Sequence, residues 1–485
     1  MTITRHEFNL KYMHAKICFI EAKSPGAHVF SAFPIPRLGT VLLATILKGL
    51  GYETRVFIED VEAIDWKEVD SCRLIGISTI TSTAPRAYKI ADRLRAKGKT
   101  VIIGGPHVTF LPDEALRHAD FVVRGEGEET MVELLKAIED GSSFGRIKGL
   151  SWHSPQGPAH NEPRELISDL DPYPAPDFSL VRGWSPKSIL PVATSRGCPF
   201  DCSFCSVIHM FGRKYRFKSI DKVIGEIRAG APGGSFVFFI DDNFTANRNR
   251  TKELLRRIID EGRTTGMKFN WSAQVRSDAA SDPELIDLMK RSGCENVFIG
   301  FESVNEKTLR LFNKKQGVED IVGAVRAFHA RGIRIHGMFV LGSDTDDAET
   351  IRNTQLFARK MDIESVQFLV LTPLPGTPVY KEFEAQGRLL HKDWSKYDAH
   401  YAVFRPLLMS PSELQRETFK AMAKFYSWSK IFRHISRFNF YCGMLGLYGK
   451  QSVKKARVKS EQYLRDMKEL VNLPPLKDHK IAPNK

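Results

Sequence analysis

The pattern of apolar positions divides the chain into segments of different character. From Lys16 to Gly149, short apolar runs with the length of buried strands alternate with longer segments whose apolar residues recur at helical spacing. The run from Leu74 to Ser78 is one such strand, and Ala84 to Lys97 forms an amphipathic pattern that ends at Gly98. Strands that alternate with helices predict a Rossmann-like, doubly wound parallel α/β sheet over residues 1–149, with ligands at the carboxyl ends of its strands.

Proline then interrupts the pattern. Residues 150–186 contain Pro155, Pro158, Pro163, Pro172, Pro174, Pro176 and Pro186. Proline lacks a backbone N–H and disfavours regular structure, so we predict a linker over 150–186. Strand and helix patterns return over 187–378, and residues 379–485 have a mostly helical pattern without strands.

The segment 187–378 contains six strand–helix units, which predict an open, partial (β/α)6 barrel rather than a closed barrel of eight units. Functional groups are expected at the carboxyl ends of its strands. The predicted strands are Ile189 to Thr194, Phe236 to Ile240, Phe269 to Val275, Val297 to Phe301, Ile335 to Leu341 and Val366 to Leu371.

Composition is ordinary for a soluble globular protein, with 42% hydrophobic and 26% charged residues among 485. The sequence has no apolar run long enough to span a bilayer, and Met1 to His14 lacks the apolar core of a signal peptide, so we expect a cytoplasmic protein. Of the net charge of +14, much lies in residues 428–485. A basic end of this kind is suited to RNA, an anionic membrane or an acidic partner.

Three of the seven cysteines, Cys198, Cys202 and Cys205, crowd together directly after the first predicted barrel strand. An odd, modest number of cysteines argues against a secreted disulfide framework. The other four have apolar neighbours and are interpreted as buried, inert core thiols. They are Cys18, Cys72, Cys294 and Cys442.

Three thiolates at such short spacing are suited to soft metals or an iron–sulfur cluster. Structural zinc normally takes four ligands, and the alternative is a zinc knuckle that uses His209 as the fourth. A four-iron cluster held by three cysteines leaves one iron open, where a substrate or cofactor can coordinate. The spacing therefore favours a [4Fe–4S] cluster.

A Cys-x-x-x-Cys-x-x-Cys motif after the first strand of a six-unit barrel resembles the radical S-adenosylmethionine (SAM) enzymes. The resemblance covers residues 187–378. It implies that Cys198, Cys202 and Cys205 ligate the cluster, whose open iron binds SAM, and that Phe204 packs near the adenine. It also implies reductive cleavage of SAM to a deoxyadenosyl radical, with an electron donor such as flavodoxin or ferredoxin.

Polar residues at later strand ends extend this resemblance. Asp241, Asp242 and Asn243 follow the second strand, where the family holds the methionine amine. The usual Gly-Gly-Glu of the family is replaced here by Asp-Asp-Asn, a variant that resembles the cobalamin-linked branch. The alternative is that acidic and amide side chains at these points cap helices.

The next two strand ends carry further candidates of the same kind. Gln274 and Arg276 end the third strand, where a cation suits the methionine carboxylate. Glu302 and Ser303 end the fourth strand, where the resemblance implies binding of the ribose hydroxyls. Helix and turn capping is again the alternative.

The strand ends of the first segment carry small residues. Ser78, Gly104 and Gly105 lie where glycine lets a flat ligand approach the backbone and a hydroxyl can bond a nucleotide tail. Together with the order of elements they resemble the cobalamin-binding domain found before many radical SAM barrels. The Asp-x-His-x-x-Gly signature is absent, so no histidine is assigned to cobalt. His107 is either a cofactor contact or a surface or capping histidine, and a purely structural domain is the alternative to cobalamin binding.

The resemblance implies a cobalamin-dependent methyltransferase that acts on an unactivated carbon of a small-molecule, lipid or tetrapyrrole substrate. Alternatives are a non-methylating radical reaction, such as oxidative cyclisation of a tetrapyrrole, and a non-catalytic cobalamin sensor. A transfer-RNA methylthiotransferase requires three further cysteines in the first domain, which has only Cys18 and Cys72.

The segment from Tyr426 to Tyr448 mixes aromatic and basic residues. We predict an amphipathic helix that contacts a membrane surface peripherally or covers an apolar substrate. The alternative is a helix packed on the barrel with its basic residues outward. No nucleic-acid-binding module is recognised, so nucleic acid is not an expected partner.

Overall fold

The computed structural model describes residues 16–24, 26, 35–185, 189–230 and 236–476. The stretch Met1 to His14, on which the absence of a signal peptide was predicted, lies outside the described residues. The chain packs as two units. The first consists of Met1–Pro25, Pro34–Gly197 and His209–Pro232, and the second of Gly26–Phe33, Cys198–Ile208 and Gly233–Lys485.

The first unit contains a seven-stranded sheet in the order β2-β1-β3-β4-β5-β6-β7. The first five strands in the chain pair in parallel and the last two are antiparallel. Apolar clusters cover both faces of the sheet, as a doubly wound fold requires. The strands are β1 Ile17–Glu21, β2 Thr54–Ile58, β3 Leu74–Ser78, β4 Thr100–Gly104, β5 Phe121–Val123, β6 Leu150–Ser154 and β7 Gly157–His160.

Helices connect these strands, and the predicted alternation of strands and helices is confirmed. The helix α3 ends just before the predicted stop at Gly98, and α6 ends at Gly141, whose left-handed φ of 64° suits glycine. The helices are α1 Leu38–Gly49, α2 Trp66–Ser71, α3 Ala84–Arg95, α4 Pro106–Phe110, α5 Pro112–Leu116 and α6 Glu128–Asp140.

The expectation that residues 150–186 lack regular structure is wrong. Strands β6 and β7 form an antiparallel hairpin that extends the first sheet. Pro155 lies in the turn, and Pro158 lies on the edge strand β7, where a missing N–H breaks no inner ladder. Leu180 and Val181 belong to the apolar cluster of the first unit. The proline-rich segment is therefore part of this unit.

Three short strands and two helices follow. β9 and β10 pair antiparallel in the first unit. Their bounds are β8 Leu190–Val192, β9 Ser195–Arg196, α7 Val207–Phe211, β10 Arg216–Phe217 and α8 Ile220–Gly230.

The second unit holds five parallel strands that pair in chain order. The predicted barrel strands are confirmed within a few residues at their ends. These strands are β11 Phe236–Phe239, β12 Asn270–Val275, β13 Cys294–Glu302, β14 Arg334–Leu341 and β15 Ser365–Val370. The helices between them are α9 Arg248–Thr265, α10 Pro283–Arg291, α11 Glu306–Leu311, α12 Val318–Ala330 and α13 Ala348–Lys360.

The C-terminal region is mostly helical, as predicted, up to the end of the described residues. The single helix expected from Tyr426 to Tyr448 is wrong, because the chain turns at Arg437–Asn439, where Phe438 has a positive φ of 57°. Within the described ranges, no helix combines the length and apolar character needed to cross a bilayer. The helices are α14 Pro378–Ala385, α15 Pro411–Phe425, α16 Trp428–Ser436, α17 Phe440–Asp466 and α18 Lys468–Val471.

Two cysteines of the first unit differ from their interpretation as free thiols. Cys18 on β1 and Cys72 after α2 are joined by a disulfide. Cys294 and Cys442 are buried free thiols, as expected.

The turn after β4 requires glycine at position 105. Its φ is 114°, and a Cβ added there would lie 2.3 Å from the carbonyl oxygen of Thr79. Gly105→Ala is therefore expected to lower the free energy of unfolding by about 2 kcal/mol or more, measured by urea titration with circular dichroism. Gly39→Ala is the control, because a Cβ at Gly39 meets no atom within 4 Å. Equal stability of the two variants would contradict this account of the turn.

Candidate functional site

The three clustered cysteines are free thiols in the second unit, with Cys202 buried and the other two half-buried. Burial, Asp242 and the neighbouring thiols raise the pKa of Cys205 to about 12, although a hydrogen bond from the Val207 backbone opposes this. Burial and the same acidic neighbours also raise the pKa of Cys198. Negative charge is unfavourable here without a cation, so this donor set fits a group that supplies positive iron.

The zinc alternative fits the structure less well. Among the residues that the structure describes, no three His, Cys, Asp or Glu side chains are grouped to hold a single metal ion. His209, the proposed fourth ligand, is exposed on α7. The cysteines of an iron–sulfur cube bind different irons and need not meet around one ion. The spacing and the geometry therefore both favour a cluster.

The segment 312–316, which follows α11, supports the cysteine loop. The backbone N–H of Ser203 donates to the carbonyl of Phe312 at 3.2 Å, and the Phe204 ring packs on Phe312 with centroids 4.9 Å apart. Asn313 donates its side-chain amide to the Asp201 carboxylate at 2.8 Å. We call residues 312–316 the bracing segment. Nothing in the sequence pattern indicated its role.

Arg276 lies between the cysteine loop and the bracing segment. Its guanidinium donates to the Cys202 sulfur at 3.9 Å and to the carbonyl of Lys314, and it stacks on the Phe200 ring at 3.8 Å. These contacts bury the side chain. The side chain therefore places a positive charge beside the Cys202 sulfur. Contact of Arg276 with the methionine carboxylate stays a prediction.

The polar residues after β11 lie near the cysteines, since the charge of Asp242 acts on both Cys198 and Cys205. Asp241 and Asn243 are buried. Asp242 keeps an exposed surface, but much of the protein surrounds its carboxyl group. The resulting loss of hydration, together with the charge of Asp241, raises the pKa of Asp242 to about 7.

The ends of β11 and β12 are tied together at this edge of the sheet. The N–H of Phe244 donates to the carbonyl of Gln274 at 2.8 Å, and Thr245 donates to the Asn243 side chain at 3.2 Å. Gln274 is half-buried. The structure therefore places the candidates of these two strand ends close together.

Glu302 and Ser303 are engaged within the protein. Glu302, with a positive φ of 63°, forms a buried ion pair with Lys314 of the bracing segment at 2.6 Å. The Ser303 hydroxyl accepts from the N–H of Asn305 at 3.0 Å, so it caps the turn before α11. The capping alternative accounts for Ser303, and ribose binding by either residue stays a prediction. Sequence reasoning missed Lys314, because a Lys-Lys pair is typical of a surface.

In the first unit, three parallel strands bring small residues to one edge. Ser78 pairs in register with Gly104, and Gly104 pairs with Val123. Beyond β5, Gly125 has a φ of 73°, and a Cβ there would meet no atom within 4 Å. This edge has room for a flat ligand and fits cobalamin. Gly105 is needed for a different reason, because the backbone of Thr79 lies where a Cβ atom would be.

His107 does not match the interpretation as a surface histidine. It is 1% exposed, and its Nε2 lies 3.1 Å from the Glu114 carboxylate. Its ring centroid is 6.2 Å from that of Tyr88. This environment accounts for a buried histidine within the fold, and its contact with a cofactor stays a prediction.

Glu126, between the two glycines that follow β5, is a further residue whose role the sequence did not reveal. Its carboxylate binds Arg196 at 2.9 Å and Arg216 at 2.7 Å, and the Glu126–Arg216 pair is almost fully buried. Burial alone would raise its pKa, but the two guanidinium groups hold the pKa below its usual value. Arg196 stands two residues before Cys198, so this network anchors the chain leading into the cysteine loop.

Glu126→Gln removes the carboxylate paired with the buried Arg216, while Arg196 keeps its pair with Glu128, and is expected to cost about 3–5 kcal/mol of unfolding free energy. Because the folded pKa is depressed, the wild-type contribution is present above the unfolded value of about 4.3 and is lost as pH falls through the folded value. Urea unfolding at several pH values measures both effects. Glu133→Gln, at an exposed pair with Arg164, is the control and should cost less than about 1 kcal/mol. A similar loss in both variants would contradict the network's importance.

Two family models match the chain. The Radical SAM superfamily matches residues 192–354, and the B12 binding domain matches residues 30–135. An uncharacterized methyltransferase of Pyrococcus horikoshii is 33% identical over 82% of this chain and 89% of its own length. The bacteriochlorophyllide d C-12(1)-methyltransferase of Chlorobaculum tepidum is 34% identical over 72% of this chain and 75% of its own length.

A solved structure shows the same fold. The radical SAM methyltransferase TsrM of Kitasatospora setae, solved with cobalamin and a [4Fe–4S] cluster, has a TM-score of 0.67 at 19% identity. The match covers 77% of this chain and 75% of that one. The chain therefore belongs to the cobalamin-dependent radical SAM methyltransferases, enzymes whose cofactors are a [4Fe–4S] cluster, SAM and cobalamin.

Proposed function

We propose that this enzyme methylates an unactivated carbon of a tetrapyrrole. The observation that carries the proposal is the 34% identity to a methyltransferase that acts on bacteriochlorophyllide d, over three quarters of that protein's length. A small-molecule substrate of this class is large, flat and mostly apolar. The bound cofactors supply the radical and the methyl group, and the protein supplies binding and placement.

In this proposal Cys198, Cys202 and Cys205 hold the cluster. Burial and the charge of Asp242, which together raise the pKa of Cys198 and Cys205, support that role. Arg276 orients the cysteine loop through Cys202. Phe204 packs beside the adenine of SAM.

The remaining SAM contacts are assigned to the polar strand ends. Asp241, Asp242 and Asn243 bind the methionine amine, with Gln274 beside them. The link between Phe244 and Gln274 supports a shared site for these side chains. Glu302 and Ser303 face the ribose in the same proposal.

Cobalamin is assigned to the open edge formed by Ser78, Gly104, Gly105 and Gly125 in the first unit, with His107 nearby. The chain contains no Asp-x-His-x-x-Gly sequence, and its Asp398-Ala-His400 lies outside the first domain, so no lower histidine ligand to cobalt is assigned from that signature. We retain the functional division into a cobalamin domain over 1–149, a barrel over 187–378 and a basic helical region over 379–485. The structure differs in packing residues 150–160 onto the first sheet.

The proposal also includes two partners. Reductive cleavage of SAM needs a low-potential electron donor of the flavodoxin or ferredoxin type. The basic C-terminal region makes a peripheral contact with a membrane, where an apolar substrate of this class partitions.

The activity is tested with anaerobically reconstituted enzyme, SAM, hydroxocobalamin, a reductant and bacteriochlorophyllide d. We expect S-adenosylhomocysteine, 5′-deoxyadenosine and a tetrapyrrole that carries one more methyl group, detected by mass spectrometry. A tetrapyrrole that loses hydrogen and gains a ring, without S-adenosylhomocysteine, would replace methylation by oxidative cyclisation. If neither S-adenosylhomocysteine nor 5′-deoxyadenosine forms after cluster loading is confirmed, the result would favour the cobalamin sensor.

Cys202→Ala is expected to lose most of the bound iron and all 5′-deoxyadenosine formation, because two thiolates cannot hold the cube. Iron content and the electron paramagnetic resonance signal of the reduced protein measure this. Cys442→Ala, which removes a buried free thiol outside the motif, is the control and should keep both. Zinc in place of iron, or full activity of Cys202→Ala, would refute the cluster assignment.

A further inference from the structure

The turn between α16 and α17 presents an unusually apolar surface. Phe438 at the turn is 82% exposed, Met444 is 67% exposed and Phe432 is 62% exposed. Single exposed apolar side chains need no explanation, but a contiguous group marks an interaction surface. We call this group the hairpin tip; its members are Trp428, Phe432, Ile435, Phe438, Phe440, Tyr441 and Met444.

The exposure follows from helical spacing rather than from loose packing. On α16, Trp428, Phe432 and Ile435 recur at intervals of four and three residues and share one face. Buried residues occupy the other side of this helix, including Ile431 and Lys430. The ammonium of Lys430 donates to the carbonyl of Ile363 at 2.5 Å, which holds that side of the helix in place.

A stripe of glycines fixes α17 against its neighbours. A Cβ at Gly443 would lie 2.9 Å from Ile435, one at Gly446 2.9 Å from Ile431, and one at Gly449 2.5 Å from Tyr426. Only glycine permits this close approach. The two helices therefore pack against each other as a hairpin. Their facing sides are filled by these close contacts, and the apolar residues on the outer side stay exposed.

The hairpin itself is basic, and Asp362 pairs with Arg433 and Arg437 near the turn. The sequence contains no Asp or Glu from Trp428 to Ser460. Exposed basic side chains continue along α17 beyond the tip, and the Lys450 ammonium lies 5.2 Å from the centroid of the Trp428 ring. The basic residues in this interval are Lys430, Arg433, Arg437, Lys450, Lys454, Lys455, Arg457 and Lys459.

We infer that the hairpin tip inserts into the interface of an anionic lipid bilayer, with Phe438 at its apex and the basic residues of α17 against the lipid headgroups. The inference specifies the membrane contact included in the proposed function. Aromatic residues flanked by Lys and Arg suit the boundary between headgroups and acyl chains. Each basic residue near an anionic surface adds to the attraction.

Other occupants fit the surface less well. The five aromatic side chains of the tip suit base stacking as well as lipid, but the exposed Ile435 and Met444 add aliphatic surface that acyl chains cover and stacked bases do not. Self-association through the tip would bring two strongly basic surfaces together, which costs free energy by like-charge repulsion. Anionic lipid complements both the apolar and the charged part of the surface.

Co-sedimentation of the full-length holoenzyme with vesicles tests the inference under anaerobic conditions. We expect binding to phosphatidylcholine vesicles that contain phosphatidylglycerol, weaker binding to phosphatidylcholine alone, and weakening by salt. The double variant Phe438→Ser/Phe440→Ser should lower vesicle affinity about tenfold or more. Leu356→Ser removes an apolar side chain that is 58% exposed on α13, and this control should bind as the wild type does.

A second pair of variants tests the charged part. Lys454→Gln/Lys455→Gln should lower affinity for the anionic vesicles roughly tenfold or more. Lys89→Gln/Lys381→Gln, at exposed lysines on α3 and α14, is the matched control and should leave binding unchanged. Circular dichroism and iron content verify that every variant is folded and loaded.

Three results would overturn the inference. They are equal binding to neutral and anionic vesicles, displacement of bound vesicles by single-stranded RNA, and a wild-type dimer that Phe438→Ser/Phe440→Ser converts to a monomer. Formation of 5′-deoxyadenosine without lipid separates this inference from the proposed function. Active enzyme that does not bind vesicles refutes only the membrane insertion of the hairpin tip. Vesicle binding without tetrapyrrole methylation refutes only the proposed substrate.

Discussion

The cost of gathering negatively charged donors in a partly buried loop constrains the second unit more than any other interaction. Burial raises the pKa of Cys198 and Cys205, and the charges of Asp242 and the neighbouring thiols add to the effect. Without positive charge this arrangement disfavours the thiolates that metal binding requires. A cluster of iron and sulfide removes the cost, and Arg276 contributes a fixed positive charge beside Cys202. The surrounding structure serves to hold the loop around such a group.

Two separate devices hold the chain around the motif. Within the first unit, Glu126 pairs with Arg196 and Arg216 on the stretch that leads to the cysteines. Within the second unit, the bracing segment 312–316 bonds to the loop itself. The Glu126–Arg216 pair is buried and charged, so it is intolerant of losing one partner, whereas the hydrogen bonds of the bracing segment are partly buried. Neither device contains a residue that the sequence had marked as functional.

Local sequence was a good guide to elements and a partial guide to the site. Strand and helix positions followed from apolar periodicity, since the second unit is a regular repeat of strand and helix. The hairpin of β6 and β7 was missed because proline density does not distinguish a loop from an edge strand, where Pro158 is tolerated. The break at Phe438 was missed because no proline or glycine marks it. Ser303 and His107 carried functional groups at plausible strand ends, yet the structure gives both an internal partner.

By itself, the sequence determined the chemistry: three cysteines at fixed spacing, polar residues at successive strand ends and small residues in the first domain. These are local features, because a motif and the strand before it lie within a few residues of each other. Only the tertiary structure decided which distant groups meet, including Lys314 with Glu302, Glu126 with two arginines, and the glycine stripe of α17 with α16. Such pairings join residues far apart in the chain, and the free energy that selects them comes from burial and charge pairing that periodicity does not record.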